Sequence, residues 1–411
     1  MTNPMRTSLL LMLALGCGSS PPPAGNPSPT TGASPTAGAS PAAGQSPAAG
    51  TASRRPAPPQ LPAIDVPAAA LPPRGTLMLG DMHGTREIPA FVGALVGTVS
   101  AREPVVLALE IPQNHEDSLH AYVASDGGAE ARRQLLDEPF WKAPYQDGRR
   151  SVAIAELLET VRALRAAGRA IDVVAIDDAA GGTPESREAA MASHVIAARR
   201  AHPEAALIVH AGNLHTSKHE VGFKPGFAWM AMRVAAAGIP VISLNARWAD
   251  GTSWSCSDAV AEHCGVSFMA GRGDERGIRL EPSPDGQYDG WFGVGPLTAS
   301  PPAGRPELAA GIEAKIAAAA AAPSALQTKA RRAYEAKRYG ECADILAGIA
   351  SPEADTAYNR ACCLALAGRK DEAFTWLQYA IKAGFRSLDQ IAKDPDLASL
   401  RGDPRWPLKK K

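Results

Sequence analysis

Five apolar runs, each followed by a stretch of helical periodicity, constrain this chain more than any other feature. Leu77-Met78-Leu79-Gly80, Val105 to Leu109, Ile171 to Ile176, Ala205 to Val209 and Ile239 to Leu244 are almost free of polar alternation, so each reads as a strand buried on both faces. Between them, Ile88, Phe91, Val92, Leu95, Val96 and Val99 recur at helical spacing, with Pro89 tolerated in the first turn. Ile154, Leu157, Leu158, Val161 and Leu164 form a second apolar stripe, stopped by Gly168. Arg187 to Arg200 and Trp229 to Ala237 complete the set. This alternation predicts an α/β domain with a mostly parallel sheet and helices on both faces.

The polar residues gather at the carboxyl ends of those strands. The first ends in Asp81, His83 and Thr85, the second in Glu110, the third in Asp177 and Asp178, and the fourth in Asn213 and His215. Open α/β sheets bind ligands along that edge. Asp81 or Thr85 alone could cap a helix, but four strand ends and two histidines point to one shared site. His83 and His215 with Asp81 and Glu110 could hold a divalent metal through nitrogen and oxygen. Equally, His83 could act as a general base poised by a carboxylate, since an imidazole ordinarily titrates near 6.5. The Arg187 guanidinium suits an anion. No G-x-S-x-G elbow and no glycine-rich phosphate loop is present, which argues against serine-hydrolase and nucleotide chemistry. His115, His120, His194 and His202 read as surface residues, and His210 and His219 merely flank the fourth strand's polar end.

The rest of the chain divides by composition. Arg6, an apolar stretch from Ser8 to Gly16 and then Cys17 make residues 1–16 a secretory signal too short to span a bilayer. Residues 17–73 are Pro, Ala, Gly, Ser and Thr with hardly a large apolar side chain, which predicts a flexible tether. Lys+Arg and Asp+Glu both number 42, so no broad basic surface for nucleic acid exists. In an envelope setting Cys256 and Cys264 are expected to form a local disulfide, the alternative being a metal site with His263. Residues 304–323 are an alanine-rich helical connector. In 324–411, Ala330, Tyr339, Cys342 and Leu346 recur at Ala361, Lys370, Ala373 and Leu377, an offset of 31. Cys342, Cys362 and Cys363 are expected there as small buried apolar groups.

Three resemblances attach to these residues. Leu13-Ala14-Leu15-Gly16-Cys17 resembles a bacterial lipobox, which implies a lipid on Cys17, and no aspartate follows the cysteine. That implies an outer-membrane anchor facing the periplasm, with lipid as the only membrane contact. The offset of 31 resembles tetratricopeptide repeats, which implies a protein partner. Gly80-Asp81-Met82-His83-Gly84-Thr85-Arg86-Glu87 resembles the G-E-x-H-G-T-x-E motif of the erythromycin-esterase/ChaN-like superfamily, which includes the TIKI-type metalloproteases. Leu109-Glu110, Asp147-Gly148-Arg149, Arg187 with Met191, and Gly212-Asn213-Leu214-His215 match further motifs in order, so the likeness runs from Gly75 to Pro302 within a domain at 74–303. Asp81 stands where the family has glutamate. The esterases imply His83 as base on water, surrounded by Glu110, Arg187, His215 and Asp81, with Glu87, Arg149, Asp177 and Asn213 as candidate substrate-binding groups. The TIKI-like members imply a metal on His83, His215 and Glu110, and the ChaN-like members imply haem. The expected function is hydrolysis of an ester or amide in a small molecule or peptide. The alternatives are a haem- or metal-binding lipoprotein without turnover and an interaction module with a decayed site.

Overall fold

The computed structural model describes residues 56–178 and 181–408. The signal segment, Cys17, most of the tether and residues 409–411 lie outside that range.

Seven strands form one sheet: β1 (Thr76–Asp81), β2 (Val105–Pro112), β3 (Ile171–Asp177), β4 (Ala206–Gly212), β5 (Val241–Ala249), then β8 (Arg276–Arg279) and β9 (Gly290–Pro296), with β6 (Gly251–Cys256) and β7 (Cys264–Met269) set apart from it. The order across the sheet is β3-β2-β4-β1-β5-β9-β8, parallel throughout except that β8 runs antiparallel to β9. β1 therefore sits at the centre, where both its faces are covered, and all six of its residues are buried. Leu77 and Leu79 face one layer, made by α1 (Glu87–Val99), α2 (Glu116–Ala124), α3 (Ala129–Asp137), α4 (Pro139–Lys142) and α5 (Val152–Ala166). Met78 faces the other, made by α6 (Pro184–Ala201) and α7 (Met230–Ala236). Each fully buried Leu, Ile or Val on these faces contributes about 1.5–3 kcal/mol relative to an exposed one. Thr183 caps α6 by accepting from the Ser186 N–H, with Pro184 in the first turn, a start signal written in the local sequence. Gly168, at φ +91°, ends α5 as expected. Leu61, Ile64, Val66 and Leu71, ahead of β1, pack onto the α1/α5 side.

Two features depart from the sequence reading, and a third, a hairpin, carries the disulfide expected of Cys256 and Cys264. The chain between β2 and α5 carries α2, α3 and α4, which were not anticipated. The separate hairpin of β6 (Gly251–Cys256) and β7 (Cys264–Met269) pairs Cys256 directly with Cys264, and their disulfide closes it at a Cα separation of 3.9 Å. The alternative metal site with His263 falls away, because both thiols are spent. The connector is not continuous. A short 3-10 turn at Pro306–Ala309 is broken at Gly311, whose φ of +67° is left-handed, before α8 (Ile312–Ala320) begins.

The C-terminal region is helical: α9 (Pro323–Glu335), α10 (Tyr339–Ala347), α11 (Ala354–Leu366), α12 (Lys370–Lys382) and α13 (Leu388–Lys393). α9 and α11 start at 323 and 354, and α10 and α12 at 339 and 370, so the offset of 31 recurs in the helices themselves. These helices enclose a core of their own. One expectation is corrected here. Cys342 and Cys363 are bonded, tying α10 to α11, and among the described residues only Cys362 remains a thiol, buried.

Candidate active site

Register places the site residues on opposite faces of the sheet. Leu79 pairs with His210 and Asp81 with Gly212, so Asp81 and His210 share the α1/α5 face. Glu110 follows Leu109, which pairs with His210, and so projects to the α6/α7 face. What joins the two sides is the turn after β1. Gly84, at φ +75°, lets the backbone pass against the Trp254 carbonyl, where any Cβ would collide. The turn swings His83 over the strand ends. Its Nδ1 lies 2.9 Å from Asp81 Oδ2 and its Nε2 3.4 Å from Glu110 Oε2. Gly212 keeps that crossing open: a Cβ there would lie 2.9 Å from His83 Nε2 and 3.4 Å from Glu110 Oε2.

Nδ1 hydrogen-bonds Asp81 while Nε2 faces Glu110 at ion-pair distance, and a carboxylate beside each nitrogen favours the imidazolium. Burial by itself lowers the imidazole, but Glu110 and Asp81 outweigh it and push the pKa up to about 10. Burial likewise raises the Asp81 carboxyl, and His210 and His83 reverse that and hold it far below the usual range. Glu110 is held well below its ordinary value against its own burial by His215, His83 and Arg187. It accepts from the Gly212 N–H at 2.7 Å, Arg187 Nη2 at 2.7 Å and Arg149 Nη1 at 3.2 Å.

His215 has a different state. Its Nδ1 is 2.6 Å from Glu188 Oε1, and its Nε2 is 3.2 Å from Arg187 Nη1. A guanidinium can only donate, so Nε2 accepts and Nδ1–H donates to Glu188. The Nε2 lone pair of His215 is thus already used. Glu188 also accepts from the Met230 N–H at 2.7 Å, which anchors α7. Arg187 spans Asp177 (2.7 and 2.9 Å) and Glu110. Arg149 reaches Asp147 and, at 2.9 Å, Asp177. The Arg149 and Arg150 guanidinia overcome burial and draw Asp147 down to about 2.

His83, Glu110, His215, Arg187, Asp81, Arg149 and Asp177 therefore meet in one cluster. Glu87 does not join it. Its carboxylate accepts from the Thr298 N–H at 2.8 Å and ties down a loop at the start of α1. Asn213 serves through its backbone, its N–H donating to the Asp81 carbonyl and its own carbonyl accepting from Tyr288 and Thr216. Glu188 carries no mark in the sequence, His210 reads there only as a flanking residue, and Asp147 only as part of the Asp147-Gly148-Arg149 motif. His115, expected on the surface, is buried beside Glu138 at 3.3 Å. His120 and His194 donate to the Val173 and Ile176 carbonyls, away from the site.

The cluster does not fit a metal held by His83, Glu110 and His215. Among the described residues, three or more His, Cys, Asp or Glu ligand atoms converge within 4.8 Å only at Cys362, Asp394 and Asp396 in the helical region. Here arginine N–H groups fill Glu110 Oε1 and His215 Nε2 instead. Haem fits no better, since the cluster's part-exposed imidazole, His83, has a carboxylate at each nitrogen. A depression of about 440 Å³ lies at the opposite, amino edge of the sheet, lined by Leu71, Arg74, Glu103 and Glu204 and by none of the site residues.

No family model and no curated protein matches the chain. Solved structures give weak likenesses. A succinoglycan biosynthesis protein aligns at 11% identity over 55% of this chain and 89% of its own, with a TM-score of 0.40. An erythromycin esterase mutant in its open conformation aligns at 12% over 57% and 93%, also at 0.40. ChaN of Campylobacter jejuni with cofacial haem aligns at 12% over 48% and 87%, at 0.27. At these values no activity transfers to this chain.

Proposed function

We propose that this protein hydrolyses an ester or amide bond, with His83 and Glu110 as its proton-transfer pair. The observation that carries the reading is His83, whose side chain is 23% exposed while a carboxylate flanks each nitrogen. Around it, Arg149 and Arg187 keep 17% and 27% of their side chains exposed. The mouth is therefore cationic over a floor of buried carboxylates, an arrangement suited to a developing oxyanion. In the proposed cycle, Glu110 Oε2, the oxygen that neither arginine holds, takes a proton from water as the water oxygen attacks the carbonyl carbon. The His83 imidazolium gives its Nε2 proton to the departing oxygen or nitrogen. Transfer from Glu110 back to His83 restores the starting state, so water is the only co-reactant consumed. No step runs through a metal or haem.

The setting is part of the same proposal. We place the chain at the cell envelope, lipid-anchored through Cys17 and facing the periplasm from the outer membrane, with the C-terminal helices available to a protein partner. What supports this is the sequence alone.

The test is a panel of esters and peptide amides with purified protein. His83→Ala and Glu110→Gln should each lower the rate by about 10²–10⁴-fold. The active form has His83 protonated and Glu110 ionised, so the rate should fall as pH rises through about 10. A rate that instead climbs through pH 6–7 would assign His83 as a neutral base, and an unaffected His83→Ala would remove the site from catalysis.

A further inference from the structure

His210 is an ionisable side chain in the middle of a fully buried strand, 3% exposed. Its Nε2 lies 3.2 Å from Asp81 Oδ2, an ion-pair contact, and makes no hydrogen bond. Asp81 is equally buried, and its Oδ1 has no hydrogen-bond partner at all. Two imidazoles, His83 in front and His210 behind, are thus the neighbours that hold this carboxylate. A buried carboxylate with a single partner keeps rotational freedom and an uncompensated desolvation cost. Nothing else in the hydrolytic scheme uses His210, and an apolar residue would fill the strand position at lower cost.

We propose that His210 is a positioning residue: acting through Asp81, it fixes the carboxylate that orients His83 toward Glu110. The proposal rests on the hydrolytic reading for its purpose but not for its test. Asp81 sits on the α1/α5 face while Glu110 sits on the other, and His83 bridges them across the edge. The bridge is as rigid as Asp81 is, and His210 supplies the second point of attachment. This gives the order His210, Asp81, His83, Glu110, running from the core to the mouth.

The experiment follows the His83 Nδ1 proton by NMR on the full soluble chain labelled at histidine nitrogen. Wild type should show a far-downfield, slowly exchanging Nδ1–H resonance, and Asp81→Asn should lose it. His210→Phe, which fills the space without a donor, should broaden or abolish it, while His210→Gln, which keeps a donor, should retain it. Melting temperature reports folding, and His210→Met takes the place of His210→Phe if the ring does not fit. Where the panel yields a substrate, kcat of the Phe variant should drop at least tenfold with KM little changed. If folded His210→Phe or His210→Met keeps the wild-type resonance, the proposal is overturned and His210 is a space-filler. If the resonance depends on His210 but no substrate is cleaved, the positioning role stands and the hydrolytic reading fails.

Discussion

Gly212 shows how little room the site has at the scale of a residue. Gly212→Ala should push His83 off Glu110, because the new methyl would sit 2.9 Å from Nε2. The expected outcome is a loss of the proposed hydrolysis of roughly 100-fold, as for about 1 Å of misplacement, and a fall of the His83 pKa toward its ordinary value, both read by titration and kinetics. The same charges set stability. His83 is raised, so its contribution is complete below pH 6.5 and is lost as pH climbs to about 10. Glu110 is depressed, so its contribution is complete above pH 4.5 and is lost in acid. Melting temperature should therefore peak between about pH 4.5 and 6.5, and His83→Ala should flatten the alkaline decline. Most first contacts were legible because strand ends advertise polar residues after apolar runs. His210 was legible only as a histidine inside an otherwise apolar strand. Glu188, beside Arg187 on α6, gave no signal, since alternate charges on a helix ordinarily face water.

Elements differ in how openly they are written. The strands of the parallel sheet stood out because burial on both faces removes polar alternation. α3, with its run of Glu130, Arg132, Arg133 and Gln134, hides its single buried anchor, Leu135, among charges. The β6–β7 hairpin lacks any strong turn pair and is specified instead by its disulfide. Trp254 on β6 donates to the Gln146 carbonyl at 2.9 Å and its backbone N–H to Gly84, so the hairpin braces the turn that carries His83. Cys256→Ser should cost about 2–3 kcal/mol in the chain-entropy picture and loosen that turn, seen as faster amide exchange at Gly84. Alkylation without reductant, followed by mass spectrometry, should find one thiol in the described chain, Cys362, and only after unfolding. A second labelled cysteine among Cys256, Cys264, Cys342 and Cys363 would contradict one of the two bridges.

For the whole molecule, two cores meet along the hairpin. α8 and α9 lie against β6 and β7, Arg86 pairs with Glu313 at 3.0 Å, and Arg332 reaches Asp250 and the Gly271 carbonyl. Cys17→Ser should release the protein from membranes into the soluble fraction; an unchanged distribution would refute the lipid anchor. The direction of β1 then decides which way the protein looks. The chain enters β1 at the amino edge, past Leu61 to Leu71, and six residues later reaches Asp81. At about 3.3 Å per residue those two ends are roughly 20 Å apart. Whatever grips the N-terminal segment therefore grips the back of the sheet, leaving His83 pointed away from the point of attachment. With the proposed anchor at that end, a bulky or surface-bound substrate of the proposed hydrolysis would approach from the opposite side, and shortening the leading segment should limit how far the protein searches before it blocks what the site can take.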